Sequence, residues 1–419
     1  MASRLLKGHR FLRWVNERLP LEKAYKTHMS EYYAPRNFNF WYYFGILSMV
    51  VLFIQFVSGI WLTMQYTPDA EHAFDSIEYI MRDVSAGWFI RYMHEVGASF
   101  FFIVVYLHIF RGLLYGSYKE PRELLWLIGV AIYIVLMMEG FLGYMLPWGN
   151  MSYWGAKVVL SLIGAIPYIG ESLQVWIQGD YQVSGVTLSR FFALHVTLIP
   201  ILLIGLVFLH IIALHQVGSN NPEGIEIKLV KNKDGVPLDG IPFHPYYTVH
   251  DLIPIVVFLI LFFGVIFYYP DGGGYFLEPP NFLPADNLST PEHIAPVWYY
   301  TPFYAMLRAI SFDFLGISAK FWGLVVMSGA IGLVAFLPWL DRSPAKSMRY
   351  KGWASRIMLA LFTISFVTLG VLGAHPSDWM PFWMAPFFTL IYFAYFLGMP
   401  FYTSLENSKP VPQRISSGR

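Results

Sequence analysis

Long apolar runs alternate with polar or proline- and glycine-broken stretches along most of the chain. Residues 40–66, 88–110, 124–146, 188–214, 251–269, 320–340, 354–373 and 381–402 are each long and apolar enough to cross a bilayer as a helix, for which roughly 20 residues suffice. Eight such runs predict an all-α membrane protein of eight transmembrane helices, and an even number places both termini on one side. Residues 151–179 and 296–310 ("PVWYYTPFYAMLRAI") are apolar but broken by Pro and Gly, which predicts short helices lying in the interface. Residues 228–240 ("KLVKNKDGVPLDG") read as a polar loop insertion. The resulting organisation is a four-helix domain over 1–215, a loop over 216–250 and a second four-helix domain over 251–419.

Composition agrees with that pattern. The chain is 56% apolar, 19% aromatic and 13% charged, against about 25% charged residues in a soluble domain. A net charge of +1 gives no reason to expect nucleic acid. The absence of cysteine excludes disulfides, thiolate metal sites, iron–sulfur ligation and covalent haem attachment by this chain, leaving 12 histidines as possible metal ligands. The first 35 residues are basic and amphipathic, with no apolar signal-peptide core. Most Lys and Arg fall in the N-terminal tail, the second, fourth and sixth connections and the C-terminal tail, whereas the first connection carries Asp69, Glu71, Asp75, Glu78 and Asp83. Basic loops stay inside, so both termini are expected on the inner side. The second and fourth spans then both run from outside to inside.

Those two spans carry paired histidines. His94 and His108 are fourteen residues apart in the second, and His195 and His210 are fifteen apart in the fourth, with Pro200 between them. Fourteen helical residues make nearly four turns, so both rings leave by almost one face, about 21 Å apart along the axis. A kink or local unwinding at the proline would restore the register in the fourth span. His94 then faces His195 on the outer side and His108 faces His210 on the inner side. Each pair suits the two faces of one iron porphyrin. Gly45 and Gly59 in the first span, and Gly129 and Gly143 in the third, repeat the fourteen-residue interval, removing side chains where something flat must approach. Arg91 and Arg111 lie three residues from the second-span histidines, within reach of haem propionates. A haem-free proton channel, or a haem-bearing anchor for a dehydrogenase, are the competing classes. The first predicts a colourless protein, and the second predicts only four or five spans without long outer loops.

The stretches "GYMLPWGNMSYWGA" (143–156), "AIPYIGE" (165–171), "HQVGSNNPEG" (215–224), "IPFHPYYTVHD" (241–251) and "PVWYYTPFYAMLRAI" make the chain resemble cytochrome b of the bc1 complex over nearly its whole length. The resemblance implies two non-covalent b-type haems, the low-potential one on His94 and His195 and the high-potential one on His108 and His210. It further implies quinol oxidation at an outer site and quinone reduction at an inner one in a proton-translocating Q cycle. The implied partners are a Rieske iron–sulfur protein and cytochrome c1, in a homodimeric complex. The fused chain with its inner insertion looks bacterial, so a bacterial cytoplasmic membrane is expected.

At the outer site the family usually has Pro-Glu-Trp-Tyr, whereas this chain has Pro296-Val297-Trp298-Tyr299. The family glutamate is a proposed proton acceptor, and oxidising quinol still needs one. Glu278 and Glu292 are the candidates. Glu278 is preferred because its apolar, Pro-bounded surroundings should pack inward, with Tyr144 and Tyr299 lining the pocket. At the inner site the match assigns quinone contact and proton delivery to His215 and Asp251, with His250 standing where the family usually has lysine. Glu139, within the third span and four residues before Gly143, has no family counterpart; it reads equally as a proton relay or as a hydrogen-bonding partner for a neighbouring helix.

Overall fold

The structure, a computed structural model, describes residues 10–415; the outermost parts of the expected basic tail and of the second domain lie outside these. Seven unbroken helices are long and apolar enough to span a membrane: Phe40–Thr63, Gly87–Tyr115, Glu123–Met145, Gly185–Val217, Phe243–Tyr268, Ala319–Leu340 and Trp353–Ala374. The eighth run departs from a straight rod. It forms Met384–Leu397 and Met399–Leu405, bent by 56°. Pro400 sits in the first turn of the second piece, where its missing N–H costs nothing, whereas inside one continuous helix it would break a bond and clash.

The first and second spans cross closely, as do the third and fourth. Gly97 permits the first crossing, since a Cβ there would lie 2.0 Å from Gln55 Nε2, and that amide donates to the His94 carbonyl at 2.9 Å. In the fourth span the helix widens into a π turn over Leu194–Leu198, with the Ile199 N–H reaching the Leu194 carbonyl and Pro200 following at once. A π turn accommodates one extra residue. It absorbs the surplus residue between His195 and His210, so the local unwinding expected at Pro200 takes this form.

The interfacial helices are Asn150–Gly164, Gly170–Gln178 and Thr301–Arg308, the last preceded by a tight turn over Trp298–Tyr300. The first connection also holds an amphipathic helix, Ala73–Arg82, in addition to the expected interfacial ones. Another departure is a two-stranded antiparallel ribbon in which Tyr33–Pro35 pairs with Gly240–Pro242. It ties the N-terminal segment to the 228–240 insertion.

The connections expected on the inner side gather on one face. Arg122 pairs with Glu226 at 2.6 Å, and Lys346 with the same carboxylate at 2.6 Å. Asp341, fully buried, meets both Lys119 and Lys351. Asp239 pairs with Arg36 at 3.3 Å and Arg414 at 2.6 Å. Buried carboxylates of this kind are tolerable only because each has cations and further donors.

Candidate functional site

The two histidine pairs meet as their spacing predicts. The His94 and His195 rings have centroids 6.2 Å apart, and the His108 and His210 rings 6.4 Å apart. One metal ion between two imidazoles gives nearly this separation, because metal–nitrogen bonds of about 2.0–2.1 Å on each side put the ring centroids roughly 6.3 Å apart. Each glycine of the first and third spans backs a different histidine. A Cβ on Gly59 would lie 3.0 Å from His94 Cε1, and one on Gly143 2.5 Å from His195 Cε1. On the inner level, Gly129 and Gly45 give 3.2 Å to His210 and 3.5 Å to His108. The glycines therefore make room for the imidazoles themselves, a more specific role than admitting a flat group.

What holds each Nδ1 differs by level. Ser58 Oγ donates to the Ile54 carbonyl and accepts from His94 Nδ1 at 2.9 Å. His195 Nδ1 donates to the Glu139 carbonyl at 3.1 Å and lies 3.0 Å from the Glu139 carboxylate. Both contacts put the proton on Nδ1 and leave Nε2 as a ligand atom. On the inner level, Arg111 Nη2 reaches His108 Nδ1 at 3.2 Å, and the guanidinium lies 5.1 Å from the Tyr42 ring centre. His210 Nδ1 faces the Leu125 carbonyl without closing a hydrogen bond. Arg91 pairs with Glu95 at 3.5 Å. Buried atoms without partners, namely Glu95 Oε1, Glu139 Oε2, Arg111 Nε and His210 Nδ1, mark both levels as sites with unused polar capacity. The donor set of four imidazoles, the ring spacing and these orphaned atoms fit a pair of bis-histidine haems.

A cavity of about 240 Å³ opens beside the outer pair. Its lining includes His94, His195, Glu95, Tyr144, Val297 and Tyr299. The Pro296–Tyr300 segment is clamped over it. Trp298 Nε1 donates to Ser99 Oγ at 3.1 Å, Tyr300 donates to the Met137 carbonyl at 2.6 Å, and Tyr299 stacks on Phe102 at 3.8 Å. Glu278 lies just behind this lining, on the loop before the sixth span; its neighbours Leu277 and Asn281 and its partner Tyr144 form part of the wall. Asn281, three residues on, accepts from the Ser152 N–H at 2.9 Å and pins that loop to the Asn150–Gly164 helix. Tyr144 then donates to Glu278 Oε2 at 2.8 Å. Burial pushes the Glu278 carboxyl up to about 7, against the pull of the Tyr144 hydroxyl. Burial likewise raises the Tyr299 phenol, with Glu278 adding to the shift. Glu292, by contrast, is exposed and makes no bond to Tyr144 like that of Glu278.

At the other end, His215 donates from Nδ1 to the Ile211 carbonyl at 2.9 Å and packs on Tyr32 and His28, with centroids at 4.5 and 5.0 Å. Asp251 starts the next turn after Tyr247, which packs on Phe243, itself in contact with Tyr32. Tyr32 and Phe243 thus link His215 to the turn that leads into Asp251, while His215 and Asp251 do not bond each other. His250 stacks on Tyr246 at 4.2 Å and is exposed.

Ser58, Gln55, Glu95 and His28 were not foreseen. A signal existed for Ser58, which adjoins Gly59, and for Glu95, an acid next to a span histidine. Gln55 and His28 act through contacts 39 and 187 residues away, which no local pattern reveals.

Comparison with known proteins agrees with this geometry. Residues 29–218 match the family profile described as cytochrome b/b6/petB, and residues 284–393 match cytochrome b(C-terminal)/b6/petD. Cytochrome b of Allochromatium vinosum is 58% identical over 410 residues, covering 97% of this chain and 98% of that protein. Cytochrome b of Rhodobacter capsulatus is 43% identical, covering 96% and 93%. A solved chain described as hyperthermophilic respiratory Complex III superposes with a TM-score of 0.84 at 38% identity, covering 94% of this chain and 99% of that one. Both halves of the sequence, the order of its spans and its full-length relatives lead to one conclusion: this chain belongs to the cytochrome b family, the membrane-embedded component of respiratory complex III, a quinol–cytochrome c oxidoreductase.

Proposed function

We propose that the chain is the di-haem core of a bacterial bc1-type complex, oxidising quinol at its outer cavity and feeding an inner quinone-reduction site in a proton-translocating Q cycle. The supporting observation is the two-level arrangement itself: four imidazoles in two facing pairs, each ring backed by its own glycine. His94 and His195 would hold the outer, low-potential haem, and His108 and His210 the inner, high-potential one. When bound, each haem supplies a one-electron carrier.

The remaining work falls to the polypeptide. Ser58 and Glu139 keep the Nδ1 protons of His94 and His195 in place, so that Nε2 faces the centre. Arg111 and a protonated His108 Nδ1 are both donors, so the guanidinium turns to an acceptor such as a haem carboxylate when His108 serves as ligand through Nε2. Arg91 supplies the equivalent cation on the outer level. In the outer cavity, Tyr299 and Tyr144 flank the quinol, and Trp298 fixes the segment that carries Tyr299. Glu278 takes one proton: a carboxyl poised near 7 is ionised for about half the molecules at neutral pH and is basic enough to accept. Val297 leaves the usual acceptor position apolar, which makes a second source of carboxylate necessary. The other proton leaves through the Rieske iron–sulfur partner. Cytochrome c1 completes the oxidising branch, and the complex is a homodimer in the cytoplasmic membrane with both termini cytoplasmic. His215 and Asp251 contact the quinone and deliver protons on the inner side.

Two measurements test this reading. A redox titration of the purified complex must resolve two b-type components; one component or none overturns it. Glu278→Gln must lower quinol oxidation and remove the rise in rate with pH through about 7, because only the ionised carboxylate accepts a proton. An unchanged pH profile removes Glu278 from the mechanism.

A further inference from the structure

The two levels carry opposite charge beside their histidines. His195, on the outer level, has the Glu139 carboxylate 3.0 Å from Nδ1. His108, on the inner level, has the Arg111 guanidinium 3.2 Å from Nδ1. The other outer cation, Arg91, is offset by Glu95 at 3.5 Å, whereas the neighbours of Arg111 are the Tyr42 ring and, further off, Arg122 and Tyr115. No carboxylate pairs with Arg111 among the described residues.

Resting on the reading that His195 holds the outer haem, we infer that Glu139 is a positioning residue that sets that haem's reduction potential below that of the inner one. Its carbonyl and its carboxylate both lie within hydrogen-bond distance of Nδ1–H. A ligand imidazole whose Nδ1–H donates to a backbone carbonyl, with a carboxylate in contact beside it, becomes a stronger electron donor to its metal. A stronger donor, with negative charge close by in a poorly screened interior, favours the ferric over the ferrous state. On His94 the corresponding acceptor is the neutral Ser58 hydroxyl, so the asymmetry on the outer level belongs to Glu139 alone. Gly143, one turn along the same helix face, leaves the room that lets the His195 ring sit beside this acceptor, since even a methyl group there would come within 2.5 Å of Cε1. The carboxylate that looked equally suited to a proton relay is thereby assigned to the haem ligand.

The test is a redox titration of the whole complex carrying Glu139→Gln, with each b component followed by its own absorption band. The amide keeps an acceptor oxygen and removes the charge. The expected result is a rise in the outer component alone, by a factor of ten or more in the ferric/ferrous equilibrium, or about 59 mV for one electron. The inner component is the internal reference and stays in place. An outer midpoint that does not move, or two midpoints that rise together, overturns the inference while leaving the two-haem reading intact. If the amide variant retains no outer haem, Glu139→Asp, which keeps the charge but withdraws it by one methylene, is titrated instead; a smaller rise supports the inference. An unmoved midpoint, or loss of the outer haem here too, assigns Glu139 a structural role and overturns it. Absence of both components from the parent complex would defeat the reading on which all this rests.

Discussion

The outer and inner levels are built from the same parts at different tolerances. Outside, the glycines stand 2.5 and 3.0 Å from their histidine rings, counted from where a Cβ would be; inside, the distances are 3.2 and 3.5 Å. Outside, both Nδ1 atoms are held by acceptors, Ser58 and Glu139. Inside, one faces a cation and the other closes no bond. The outer level also borders the cavity lined by Tyr144 and Tyr299, with Glu278 held behind Tyr144. Tight, preorganised packing thus coincides with the level that the proposed function assigns to quinol oxidation, and looser packing with the level it places further along the electron's path. Preorganisation of this kind is what a redox or catalytic site requires of its surroundings.

The largest expected effect comes from deleting a ligand at one level only. His195→Leu removes one of two imidazoles and leaves an apolar wall, so the outer b component should vanish from the reduced-minus-oxidised spectrum, together with quinol oxidation. The inner component should persist, because His108 and His210 lie about 21 Å away along the same helices and have their own glycines. The reciprocal His108→Leu should spare the outer component. Simultaneous loss of both in either variant would show that the levels are not separate and would end the comparison.

How far the sequence discloses this difference depends on the range of the contacts. The intervals of fourteen between His94 and His108, Gly45 and Gly59, and Gly129 and Gly143 are local and periodic, so the ladder is legible. The third, sixth and seventh spans fall within one residue of their expected bounds for the same reason, since apolar length decides them, whereas the fifth begins at Phe243, eight residues before the expected 251. The inward packing of Glu278 is readable from its proline-rich, apolar setting. The bend near Gly398 was not anticipated, although Pro400 marks it, because a run of apolar residues says nothing about straightness. Nor was the ribbon between Tyr33–Pro35 and Gly240–Pro242, whose pairing spans some 200 residues. The charge contrast between Glu139 and Arg111 was hidden differently. Both residues were noticed, but only the folded chain places each against a particular ring.

A graded effect should follow from adding one methyl group at each ladder glycine. Gly143→Ala collides with His195 and can be accommodated only if the ring or the third span shifts, which in a packed core costs typically 1–3 kcal/mol. The outer haem should be lost, or released at lower temperature. Gly59→Ala should be milder, and Gly129→Ala milder again. Gly45→Ala meets His108 at an ordinary van der Waals distance, so its cost should stay under about 0.5 kcal/mol. Haem retention during thermal melting, followed at each b band, ranks the four. Any ranking in which the inner glycines matter more would reverse the assignment of tight and loose levels.

The smallest expected effect concerns the other outer-loop acid. Glu292 shares with Glu278 its charge type and its connection between the fifth and sixth spans, yet the two carboxyls sit in different media. Glu278 is enclosed against Tyr144 and its carboxyl is lifted to about 7. Glu292 is exposed and lacks the contact with Tyr144 that Glu278 makes, so it is less well placed to take a proton from a quinol held beside that tyrosine. Glu292→Gln should therefore change quinol oxidation by less than about two-fold at any pH and leave the rise through pH 7 in place. A loss of that rise in the Glu292 variant, with the Glu278 variant unaffected, would move the proton acceptor out of the cavity and to the surface, and would detach the outer level's tight packing from its proton chemistry.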